Sequence, residues 1–186
     1  TCKKGTPADQ DQGLADLIEC GAPVATIVGK TWDAQVTRAL QTTLKENLRM
    51  IADSVAYLKA HGLAVVFDAE HFFDGYKANS DYALACIRAA SEAGADSIDL
   101  CETNGGTLPF EVEEIVASLR VRFPTSSWAF TVTTIPAVQW PMRFPLSMRV
   151  RCRCRAPSAA SASAWATPTC LPPLPTWSSR WGSTAS

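Results

Sequence analysis

The chain has 186 residues, 47% of them hydrophobic and 19% charged, proportions of a globular chain with a core rather than of a disordered one. It is shorter than the roughly 250 residues of a closed eight-stranded α/β barrel; no apolar run nears the roughly 18 residues that cross a bilayer, and the opening TCKKGTPADQ lacks a signal peptide's apolar centre. The net charge of −1 conceals a division: residues 1–130 hold 11 basic and 18 acidic side chains, net −7, whereas residues 131–186 hold six Arg and no acid, net +6.

Along the first part, apolar residues from Asp9 to Cys20 fall at helical spacing, with Gly21 as a stop. Val24 to Val28, a β-branched run closed by Gly29, predicts a buried strand. A long helix follows, with Leu40, Leu44, Leu48, Ile51, Val55 and Leu58 as one apolar stripe and His61–Gly62 as its end. Leu63 to Ala69 (LAVVFDA) predicts a second strand, and EHFFDGYKAN a polar and aromatic loop. Ser80 is placed to cap a helix from Asp81 to about Ala93, stopped by Gly94. Ser97 to Cys101 (SIDLC) predicts a third strand, ETNGGTLP a loop, and Pro109 the first turn of another helix.

Strands that begin near residues 24, 63 and 97, alternating with amphipathic helices, imply a parallel sheet with right-handed crossovers. Periodicity alone leaves an open doubly wound sheet and part of a barrel as alternatives. In both, ligand chemistry gathers at the carboxyl ends of the strands. Asp68, Glu70, His71 and Asp74 crowd one such end beside three aromatic residues, where carboxylates can act as acid or base groups. Glu102, Thr103, Asn104 and the doubled glycine after them offer a hydroxyl, an amide and free backbone N–H groups to an anionic ligand. Lys30 and Asp33 read as a surface ion pair, with a ligand-reaching pair as the alternative. Seven Cys, an odd number without regular spacing, do not form a disulfide framework, and the expectation is a cytoplasmic chain with reduced thiols.

Taken together, GAPVATIVGKTWDAQVTRALQTTLKENLRMIADSVAYLKAHG and VVFDAEHFFDGYKANSDYALACIRAASEAGADSIDLCETNGGTLPFEVEEIV closely resemble the (R)-citramalate synthase family. That family is similar to the isopropylmalate and homocitrate synthases and shares a metal-dependent (β/α)8 domain with hydroxymethylglutaryl-CoA lyase. The resemblance covers about residues 5–124 and implies an α/β fold that is a partial (β/α)8 TIM barrel, about strands 3 to 6 with their helices, followed by an irregular tail. It implies a Claisen condensation of acetyl-CoA with pyruvate, with isopropylmalate or homocitrate synthesis as the alternative. By position, Glu70 is the catalytic acid/base carboxylate, and Thr103 the hydroxyl that binds the oxo-acid carboxylate, while Asp68, His71 and Asn104 are the other substrate-binding residues. A divalent ion (Mg, Mn or Zn) is implied as cofactor and a homodimer as assembly, with neither nucleic acid nor membrane as partner.

Two departures matter. Glu102 stands where the family has Asp before TNGG, and neither the D-T-T-L-R-D-G strand nor the H-x-H-N/D-D-S-G metal motif occurs in the sequence. No metal ligand of the family is therefore expected in this chain, which as written should be idle. The second motif is due where the acid-free tail starts. In a frame that joins the last base of each codon to the first two of the next, Phe130 to Ala137 permit I-H-R-H-H-D-S-G, and Ala160 to Cys170 permit G-I-G-E-R-L-G-N-A-D-L. Residues 1–124 thus read as the central part of a catalytic barrel and 125–186 as an out-of-frame, poorly structured tail. The competing reading of the tail is a basic, Trp-bearing arm that binds nucleic acid.

Overall fold

The computed structural model describes residues 1–132 together with 149 and 150. A short 3-10 turn, Ala8–Gln10, leads into α1 (Gln12–Glu19), with Asp11 as N-cap accepting from the Leu14 N–H. The first strand, β1, runs from Val24 to Lys30 and passes through Gly29 rather than ending there. A Cβ at Gly29 would lie 2.5 Å from the Phe67 ring, so the glycine lets a neighbouring aromatic cross the strand.

The single long helix expected next is two helices, α2 (Asp33–Arg38) and α3 (Leu44–Ala60). Gln41, at φ 51°, breaks the path, and the Thr43 hydroxyl restarts it by accepting from the Glu46 N–H at 3.1 Å. Leu40 therefore leaves the stripe, and α3 buries Asn47, Met50, Ile51, Ser54, Val55 and Leu58. Strand β2 (Ala64–Glu70) follows, then α4 (Phe72–Ala78) where a loop was expected. Helix α5 (Ser80–Glu92) is capped by Asn79, not Ser80. Strand β3 (Ser97–Glu102) and α6 (Pro109–Arg122) precede β4 (Trp128–Val132) and the two-residue β5 (Arg149–Val150).

The sheet order is β1-β2-β3-β4-β5, every neighbouring pair parallel. Sequential order without a reversal means that each right-handed crossover steps the same way, which puts the helices on one face. That is the winding of a barrel wall and not of a doubly wound sheet. Period-two alternation then sorts the side chains. Ala25, Ile27, Val65, Phe67, Ala69, Ile98, Leu100 and Phe130 are buried in the core with the helices. Their alternates, including Thr26, Val66, Asp68 and Cys101, are less buried, and Val24 and Val28 are 50% and 46% exposed. Regular sheet thus continues past residue 125 as far as Val132. Of the expected tail, everything beyond Val132 except Arg149 and Val150 lies outside the described residues, as do the tail's Arg and Trp side chains on which the nucleic-acid reading rests. Among the described residues no helix is long and apolar enough to cross a membrane.

Candidate active site

Three strand ends meet at the carboxyl edge. Lys30 of β1 and Glu70 of β2 are register partners, so their side chains leave the sheet side by side, and the Lys30 ammonium pairs with Glu70 Oε2. Beside them, the Thr31 N–H and hydroxyl both donate to the Glu70 carbonyl, at 3.2 and 2.8 Å. The sequence reading of Lys30 with Asp33 is corrected: Asp33 instead accepts from Asn79 Nδ2 at 3.0 Å.

His71 follows Glu70 at φ 58°, a left-handed conformation that costs a residue with a Cβ about 1 kcal/mol. That turn changes the chain from strand to helix in a single residue and directs the His71 N–H to Thr103 Oγ1 at 3.0 Å. The imidazole then lies between two carboxylates, with Nε2 4.0 Å from Glu70 Oε1 and Nδ1 3.9 Å from Asp74 Oδ2. Nδ1 is buried and makes no hydrogen bond. The ring sits against Trp32, centroids 6.0 Å apart. From the third strand end, Asn104 Nδ2 donates to Asp74 Oδ2 at 2.7 Å. Four of the expected residues, Glu70, His71, Thr103 and Asn104, therefore come together.

Asp68 lies one pleat below, level with Asp99 in the register of β2 and β3. With Cys101 they bring two carboxylates and a thiol within 4.8 Å of one another, a group that could hold a metal ion. Asp99 Oδ2 also accepts from the Thr131 hydroxyl at 2.6 Å. The sequence reading missed this group because Asp68 and Cys101 stand 33 positions apart with no ligand motif between them. Counting alternate residues along VVFDAE and SIDLCE would have placed Asp68, Asp99 and Cys101 on one face. Glu102, the departure from the family pattern, points the other way. It is 1% exposed, and its Oε1 accepts from the Gly106 N–H, the Thr107 N–H and the Thr107 hydroxyl at 3.1–3.3 Å.

No protein-family model matches the chain. It is 51% identical over 123 residues to the (R)-citramalate synthase of Aquifex aeolicus, covering 66% of this chain and 23% of that protein. It is 56% identical over 117 residues to the (R)-citramalate synthase of Geobacter sulfurreducens, covering 63% and 22%. The homocitrate synthase of Sulfolobus acidocaldarius is more distant, 37% identical over 92 residues, covering 50% of this chain and 19% of that protein. The chain thus spans about a fifth of the length of the curated relatives it matches. Among solved structures, the HMG-CoA lyase of Bacillus subtilis superposes with a TM-score of 0.57 at 19% identity, covering 64% of this chain and 41% of that one. HMG-CoA lyase from Pseudomonas aeruginosa gives 0.55 at 15% identity, with the same coverage. Sheet order and superposition agree on part of an α/β barrel of the HMG-CoA lyase type, and over the matched part this chain is similar in sequence to the (R)-citramalate synthases.

Proposed function

We propose that these strand ends form the acid/base and oxo-acid side of an acyltransferase site that condenses acetyl-CoA with pyruvate and, with one water to hydrolyse the thioester, gives (R)-citramalate and CoA. The observation that carries the reading is the convergence of Glu70, His71, Thr103 and Asn104 at one carboxyl edge, within sequence half identical to citramalate synthases. Glu70 is the group that takes a proton from the acetyl methyl carbon; the enolate then bonds to the keto carbon of pyruvate, whose oxygen takes up a proton, and water cleaves the thioester to free CoA. Thr103 Oγ1 accepts from His71, which leaves the hydroxyl proton to donate to the oxo-acid carboxylate. Asp74 holds the Asn104 amide toward the same edge, and Asp68 and His71 line it. Homocitrate or isopropylmalate synthesis is the less favoured reading, as the homocitrate relative is the more distant. The enzyme is read as a cytoplasmic homodimer.

The donor chemistry of Asp68, Asp99 and Cys101 suits a divalent cation of borderline softness such as Zn better than Mg, because one of the three donors is sulfur. Such an ion, when bound, polarises a carbonyl oxygen. Thr131, in register with the first His that the shifted frame would supply, already reaches Asp99. A histidine there would add an imidazole to the same group, which supports the reading of residues 125–186 as an out-of-frame tail. The deciding experiment sequences the gene around codon 125 and measures CoA release from acetyl-CoA and pyruvate, with Mg, Mn or Zn, for this chain and for the gene with its frame restored. The expected outcome is turnover only after restoration. Turnover by the present chain would overturn the claim of missing ligands, and none from the frame-restored gene fused to the D-T-T-L-R-D-G strand that this sequence lacks would overturn the citramalate reading.

A further inference from the structure

Lys30 is more constrained than a surface lysine needs to be. Its carbonyl accepts from Asn47 Nδ2 at 2.8 Å and faces Cys86 Sγ at 3.8 Å. Asn47 is fully buried and also bonds the Tyr82 hydroxyl at 2.8 Å. The next residue, Thr31, is fully buried as well and binds the Glu70 carbonyl through both its N–H and its hydroxyl. Behind it, α4 presses so closely that a Cβ at Gly75 would lie 2.5 Å from the Thr31 carbonyl oxygen. The backbone is therefore fixed on both sides of the Lys30 side chain, and the ammonium reaches Glu70 from a strand that is in register with it. Side-chain exposures of 22% for Lys30 and 28% for Glu70 shield the pair partly from water, which separates it from the freely hydrated pairs that contribute little.

We propose that Lys30 is the positioning residue of the site: its ammonium fixes which way the Glu70 carboxylate points. Glu70 Oε2 is engaged by Lys30, which leaves Oε1, the oxygen 4.0 Å from His71 Nε2, to face the reacting carbon. Preorganisation of this kind is what separates a carboxylate near a substrate from one that can take its proton. The role rests on the reading of Glu70 as the acid/base group, whereas the pairing itself does not.

The test uses the 186-residue chain and its Lys30→Met and Lys30→Arg variants, with mass-spectrometric mapping of carbodiimide coupling at Glu70. Loss of the partner in Lys30→Met should raise coupling at Glu70 about fivefold at unchanged Tm, and Lys30→Arg, which keeps a cationic N–H donor, should return it to near the original rate. In the frame-restored enzyme, Lys30→Met should lower kcat at least about tenfold with little change in KM for pyruvate, and Lys30→Arg should recover most of it. Coupling at Glu70 that is the same in all three proteins overturns the proposal whatever the enzyme's activity. Protection lost and regained as expected, in an enzyme that fails to release CoA, would sustain Lys30 as Glu70's positioning partner and remove the citramalate reading alone.

Discussion

The two faces of the sheet divide the labour of the molecule. On the helix-covered face, Ile27, Val65, Phe67, Leu100 and Phe130 are each no more than 3% exposed and interlock with α3, α4 and α5, and Glu102, at the end of β3, is the buried carboxylate on that side. The alternate residues of the same strands put Asp68, Asp99 and Cys101 together one pleat below the Lys30–Glu70 pair, while Val24 and Val28 stay half exposed. A shift of one residue exchanges stability for chemistry, because successive side chains leave a strand on opposite sides. The lesson is that residue parity along a strand decides whether a substitution is felt in unfolding or in binding.

That division can be broken most severely from the covered face. Phe67→Ala should cost about 3–5 kcal/mol in urea unfolding, since the ring is fully buried and its cavity cannot collapse across β1. Gly75→Ala comes next, at about 1–3 kcal/mol, because the obstacle is the Thr31 backbone and not a side chain that can swing away. Its second effect should be felt at the strand ends, and the Asn104 amide resonances should shift as the bond to Asp74 loosens.

A smaller and pH-dependent effect concerns Asp96, which accepts from the Val65 N–H at 2.6 Å and from Lys59 at 2.8 Å. The Lys59 ammonium, followed by the Val65 N–H, holds this carboxyl below its ordinary 3.8. A depressed carboxyl contributes stability above its ordinary value and loses it as pH falls through the lowered one. Unfolding of Asp96→Asn should therefore vary less with pH below about 4 than that of the parent chain. The smallest change is expected on the second face. Val24→Thr, at a half-exposed position, should stay within about 0.5 kcal/mol of the parent. A large loss there would mean that the face is covered in solution and would narrow the contrast between the two.

Strands and the order of elements were legible because β-branched runs and helical stripes are local patterns. Helix α4 was not legible, because what makes Phe72 and Phe73 core residues is distant. The Phe73 ring meets Phe130 of β4 edge-on at 5.4 Å, whereas EHFFDGYKAN alone mixes aromatic and polar residues around a glycine without a helical stripe. The break between α2 and α3 was hidden for another reason: nothing in the sequence flags Gln41 as left-handed. For the candidate site, family resemblance and strand-end position pointed to Glu70, His71, Thr103 and Asn104, which the structure brings to one edge. Lys30 was assigned to the wrong partner because Asp33 is near in sequence while Glu70 is near only in register.

Glu102 gives the strand-end loop a property that matters before any ligand arrives. The extra methylene relative to Asp lets one carboxylate oxygen gather donors from residues four and five positions ahead, so the TNGGT loop closes around the side chain that precedes it. Its ordering entropy is lost at folding rather than at association. A ligand that meets Thr103 and Asn104 therefore finds them already arranged, and gains in residence time what a floppy loop would forfeit.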